Sequence, residues 1–280
     1  MATQQQPKVL LFDIGGVCVV SPFQAILDYE LSLGIPPGWV NYSISQTKPH
    51  GFWHRLERGA IPMDQAFFAG FNADLHHEGR WRAFYAREAA KKKKDGHQLS
   101  SSHIPPVPRM DGEWLFNEMM TASNHPDPWM FPALQELRAS RRYILAALSN
   151  TVIFPVGHTL HAEPPFEDPV RRLFDVFVSS AHVGMRKPDP KMYQYALEQV
   201  DRYAQDHGKG SVGPGDVVFL DDIGENLKEA KRQGFQTIKV PLGRTYEAVG
   251  ELERITGLQL DGGHPKIAIE PKYPAPKAKM

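Results

Sequence analysis

The chain has 280 residues, 32 basic and 32 acidic, so its formal net charge is zero. Apolar residues make up 41%; this excludes wholesale disorder, and the balanced charge supplies no overall field for nucleic acid or an anionic membrane. A single cysteine excludes a disulfide framework and a cysteine-ligated zinc site.

Residues 1–8 lack the basic-then-apolar order of a secretory signal. The longest apolar run, 9–20, carries Asp13 and falls short of the roughly 20 residues a membrane helix needs. The expectation is a soluble cytoplasmic protein with no membrane span and no nucleic-acid partner. Ala278-Lys279-Met280 resembles a relaxed peroxisomal address.

In chain order, residues 8–13 read as a buried strand, an apolar run stopped by Asp13 and Gly15-Gly16. Residues 22–111 then read as helices at 23–33, 51–58, 63–72 and 81–92. Within them Lys91–Lys94 begins a solvated, flexible loop near 91–108. A helix at 132–140 precedes a second strand at 143–148, and a third strand at 175–179 is followed by a helix at 190–201. A fourth strand at 217–220 ends in Asp221-Asp222, with a helix at 225–233 stopped by Gly234. A fifth strand at 236–240 and a helix at 246–256 close the series.

Alternating apolar strands and helices predict an α/β fold with a doubly wound parallel sheet covered on both faces. The expected division is a discontinuous core, 1–21 and 112–262, an inserted helical cap, 22–111, and a disordered tail, 263–280. The cap aromatics Trp53, Phe67, Phe68 and Trp81 read as cap core, and Cys18 as a core residue. Histidines such as His76, His77, His158 and His161 show no metal-ligand spacing.

In an open parallel sheet, ligands sit beyond the carboxyl ends of the strands. Asp13 and the Asp221-Asp222 pair occupy such ends, Ser149 and Asn150 another, and Lys187 follows the third strand. Any one of these could be a turn or cap residue; the ordered set points to metal-assisted phosphoryl transfer. Clustered carboxylates want a hard cation such as Mg²⁺, and a carboxylate can attack phosphorus.

Four segments carry a family resemblance: Phe12-Asp13-Ile14-Gly15-Gly16-Val17, Leu148-Ser149-Asn150-Thr151, the 184–193 segment around Arg186-Lys187-Pro188, and the 218–227 segment around Asp221-Asp222. Together they resemble the four motifs of the haloacid dehalogenase superfamily, across roughly residues 9–260. The last third most resembles the N-terminal phosphatase domain of soluble epoxide hydrolases and related domains fused to acyl-CoA dehydrogenases. The resemblance implies a Rossmann-like core and a cap that closes over substrate.

It also implies roles. Asp13 would be the nucleophile, with Lys187 neutralising charge. Ser149, Asn150 and Lys187 would bind the phosphoryl group. Asp13, the backbone carbonyl of Gly15 and Asp222 would ligate Mg²⁺, with Asp221 assisting or in the outer shell and Asn226 bracing the loop. There is one departure: Gly15 stands where the family's phosphatases usually carry a second aspartate for acid–base work, help commonly worth ~10²–10⁴-fold.

The leading expectation is therefore a Mg²⁺-dependent phosphatase of small phosphate monoesters, slowed by Gly15. One alternative is a catalytically weak member that binds a phosphorylated ligand or a protein. Another is a 2-haloacid dehalogenase, whose chemistry needs no metal and leaves the Asp221-Asp222 pair unexplained. Epoxide opening itself is not implied.

Overall fold

The computed structural model describes residues 6–94, 104–160 and 168–274. Its strands are β1 (Val9–Phe12), β2 (Ile144–Ser149), β3 (Val176–Ser179), β4 (Val217–Asp221) and β5 (Gln236–Lys239). All pairs are parallel, in the order β3-β2-β1-β4-β5. Each strand lies within one residue of its expected bounds.

Six helices stand between β1 and the helix that feeds β2: α1 (Pro22–Ser32), α2 (Trp39–Ser45), α3 (Phe52–Glu57), α4 (Gln65–Leu75), α5 (Glu78–Lys94) and α6 (Gly112–Ala122). The feeding helix is α7 (Met130–Ser140); then come α8 (Ser180–Val183), α9 (Pro190–Asp206), α10 (Gly224–Arg232) and α11 (Thr245–Thr256).

The strands are apolar throughout because both faces are covered. From β1, Leu10 and Phe12 join a cluster with Leu134 and Leu137 of α7 and Leu252 of α11. Val9 and Leu11 join the opposite cluster, with Met192 and Tyr193 of α9 and Leu227 of α10. Register sets the site: Phe12 pairs with Ala147 on one side and Leu220 on the other. Asp13 thus stands level with Leu148 and Asp221, and its N–H donates to the Leu220 carbonyl at 2.9 Å.

The helices of the insert form a third cluster, in which Phe67, Phe71 and Phe116 are buried and in ring contact. Local caps start several helices: Ser21 accepts from Phe23 N, Asp64 from Phe67 N and Asp111 from Trp114 N. Phe67, Phe68 and Trp81 lie in this cluster's buried interior, as expected. Trp53 is instead half-buried and also borders the main cavity.

Two helices of the insert were not expected. α2 begins at Gly38 with no side-chain cap of its own. Its N-terminus is held by Glu30 of α1, whose carboxylate accepts from Gly38 N at 2.6 Å and Val40 N at 2.7 Å. A cap delivered from another helix leaves no local signal. α6, which follows the expected boundary after residue 111, packs on α1 and α4, and its Leu115, Phe116 and Met119 belong to the insert's cluster.

The tail also differs from expectation. Up to residue 274 it is irregular but tied down: Trp129 Nε1 donates to the Pro265 carbonyl, Ile269 N to the Gly243 carbonyl and Lys272 N to Asp28. The expected loop near 91–108 is helical to Lys94, and Pro105 accepts from Trp81 Nε1 at its far end. Its middle, residues 95–103, and the terminal Ala278-Lys279-Met280 lie outside the described residues. Among the described residues, no helix is long and apolar enough to cross a membrane.

Glu30 is 1% exposed, so its loss would strand the buried N–H of Val40 and the part-buried N–H of Gly38. Glu30→Ala is expected to lower stability by about 2 kcal/mol in urea unfolding. An unchanged midpoint would show that α2 does not depend on this cap.

Candidate active site

The strand order reverses direction at β1, with β2 on one side and β4 on the other. Three carboxylates meet beyond that point. Asp13, Asp221 and Asp222 each offer an oxygen within 4.8 Å of the others. Among the described residues this is the only such group of potential metal ligands.

Lys187 holds two of them. Its ammonium is fully buried, 2.9 Å from Asp13 Oδ1 and 2.7 Å from Asp221 Oδ2, over the ring of Phe219. Burial alone would drive Lys187 toward its neutral form, but Asp13 and Asp221 outweigh it and raise its pKa above the ordinary lysine value.

The carboxylates are not equivalent. Asp221 accepts from Lys187, from Ile223 N at 2.7 Å, and through both oxygens from Asn226 Nδ2 at 3.1 and 3.0 Å. Those contacts fill its lone-pair sites. Asp13 accepts from Ile14 N at 2.7 Å. Burial pushes its carboxyl up to about 7, against the pull of Lys187 and with the push of Asp221. Asp222 accepts no hydrogen bond from any described residue; burial, then Asp13 and Asp221, push its carboxyl well above the usual range.

Unpartnered among the described residues and facing two other carboxylates, Asp222 could hold a cation with them. The donors are all oxygens, which suits a hard divalent ion. Gly16 makes room for this carboxylate: at φ 75° its Cα lies so close that a Cβ would sit 2.3 Å from Asp222 Oδ2. Gly15 differs. A Cβ there would meet only Pro22, at 3.6 Å, an ordinary contact.

The remaining expected residues divide. Ser149 is buried at the end of β2 and borders the cavity. The Asn150 side chain also borders the cavity; it accepts from Lys187 N at 2.8 Å and donates to the Lys187 carbonyl at 3.1 Å. It clamps the lysine loop. Asn226 is braced by Tyr193, whose hydroxyl donates to the Asn226 carbonyl at 2.9 Å, a contact no sequence spacing announces.

A cavity of about 860 Å³ lies between these strand ends and the insert. Asp13, Gly15, Ser149, Lys187 and Asp222 border its floor; Phe23, Ile44, Trp53, Met119, Phe154 and Phe177 give it apolar walls. His54 borders it too. Burial, then the cations Arg186 and Lys48, hold its pKa down to about 3, so it is neutral at pH 7.

No protein-family profile matches the chain. Mouse acyl-CoA dehydrogenase family member 10 is 28% identical over 92% of this chain and 20% of its own length. Rat bifunctional epoxide hydrolase 2 is 41% identical over 90% of this chain and 39% of its own length. The chain thus spans well under half of these two relatives. The sesquiterpene phosphatase astK of Aspergillus oryzae is 26% identical over 89% of this chain and 97% of its own length. Among solved structures, a dehalogenase with an intermediate complex shares the fold at TM-score 0.50 and 18% identity, over 90% of this chain and 97% of that one. With its four motifs gathered at one switch point of a parallel sheet, the chain is similar in sequence and fold to the haloacid dehalogenase-like hydrolases.

Proposed function

We propose that the protein is a Mg²⁺-dependent phosphatase acting on phosphate monoesters of apolar alcohols, with the insert as its cap. The observation that carries this reading is Asp222: a buried carboxylate with no described partner, beside Asp13, whose other neighbour is an ammonium. That arrangement accepts a divalent cation and a phosphate dianion together.

In this reading Asp13 attacks phosphorus through a carboxylate oxygen and forms an aspartyl-phosphate as the alcohol departs. Lys187 neutralises the nucleophile in the resting state and the phosphoryl oxygens as charge shifts onto them. Asp221, saturated by its own partners, aims Lys187. Ser149 supplies a hydroxyl to the phosphoryl group, and Asn150 serves by holding Lys187. Asp13, the Gly15 carbonyl and Asp222 would hold Mg²⁺, which when bound offsets negative charge on the phosphate. Water then attacks the aspartyl-phosphate at phosphorus, releasing phosphate and restoring Asp13.

Gly15 offers no proton to the departing oxygen. Solvent has to supply it, which favours good leaving groups. The walls of the cavity favour an apolar alcohol, and a relative bearing the name sesquiterpene phosphatase points the same way. Gly15 also supports a second reading, a phosphate-binding member with little turnover. The acid cluster gives a metal-free dehalogenase no such support.

Aryl phosphate hydrolysis is expected to need Mg²⁺, to stop with chelator and to vanish in Asp13→Asn. Turnover unaffected by Asp13→Asn would overturn the assignment. The position has room for a side chain, so Gly15→Asp is expected to raise kcat for alkyl phosphates by about 10²-fold, and for aryl phosphates much less. Activity that appears only in Gly15→Asp would select the binding-protein reading. Across straight-chain alkyl phosphates, KM is expected to fall about threefold per added methylene; a flat series would reject the apolar-alcohol assignment.

A further inference from the structure

The insert meets the core at the loops that carry the phosphate-site residues. Glu57, the last residue of α3, is 7% exposed. One carboxylate oxygen accepts from Arg186 Nε at 2.7 Å, and this ion pair is largely shielded from solvent. The Glu57 carbonyl accepts from Ser180 Oγ at 2.6 Å. The same Ser180 hydroxyl accepts from Thr151 N at 2.8 Å. Two residues on, Gly59 lies so close to α8 that a Cβ would sit 2.3 Å from the Ala181 carbonyl.

Each core partner adjoins a site residue. Arg186 precedes Lys187, and Thr151 follows Ser149 and Asn150. Asn150 ties the two loops together through both backbone groups of Lys187. A continuous set of short bonds therefore runs from α3 through Arg186 and Ser180 to the lysine between Asp13 and Asp221. The other described ion pair from insert to core, Lys48 with Glu225, is exposed, and exposed pairs contribute little.

We propose that Glu57 is a positioning residue for Lys187: seating the insert on Arg186 and Ser180 aims the lysine at the phosphate site. This rests on the reading of Lys187 as the phosphate-neutralising group. Its consequence is that the phosphate site is complete only while the insert is seated.

The test measures two quantities in Glu57→Gln: aryl phosphate kinetics with Mg²⁺, and calorimetric binding of inorganic phosphate. The loss of a charged, shielded partner is expected to lower kcat and phosphate affinity by about tenfold or more. In a Lys187→Met background, Glu57→Gln should weaken phosphate binding no further, because the residue acts through the lysine. An equal loss in both backgrounds, or unchanged kcat and affinity in Glu57→Gln alone, would overturn the proposal. Should Glu57→Gln fail to fold by thermal melting, Arg186→Gln cuts the same pair from the core side with the same expectations. Asp13→Asn run alongside separates the two failures: if it retains turnover, the site reading falls; if it is inactive while Glu57→Gln is normal, only the role of Glu57 falls.

Discussion

A buried ammonium between two buried carboxylates is the constraint on which the rest of this molecule depends. Asp13 and Asp221 offset the burial of Lys187 and raise its pKa, and Lys187 in turn pulls against the burial that raises the carboxyl of Asp13. Two carboxylates against one ammonium leaves a negative balance, and Asp222 adds to it. The three carboxylates together could hold a divalent ion.

The fold exists to hold these charges at one point. Parallel register brings Asp13 level with Asp221, and unbroken apolar strands keep that register fixed by burying both faces. Asn150 and Asn226 then use backbone and side-chain contacts to fix the lysine loop and Asp221. The insert closes the other side of the cavity with apolar walls.

Much of this was legible in the residues. The strands were readable because a two-faced strand is a short unbroken apolar run, as at residues 9–12. Asp13, Asp221 and Asp222 were readable because acids at neighbouring strand ends converge in a parallel sheet, whereas Lys187 was placed by the motif resemblance. What stayed hidden depends on partners distant in sequence. The two bonds from the Asn150 side chain to the Lys187 backbone join residues far apart in the chain. α2 has no cap of its own, since Glu30 supplies one from α1. α6 sits in the stretch assigned to the core, yet its apolar face belongs to the insert. The Glu57–Arg186 pair joins residues 129 positions apart, and no local pattern marks it.

In the proposed reaction Asp13 becomes phosphorylated in a site charged by Lys187 and Asp222. The most direct measurement is mass analysis of the protein quenched in acid during turnover of an aryl phosphate, with peptide mapping. A phosphoryl adduct is expected on the peptide containing Asp13, dependent on Mg²⁺ and missing in Asp13→Asn. Steady turnover with Asp13 unmodified at every quench time, or an adduct on another residue, would contradict it.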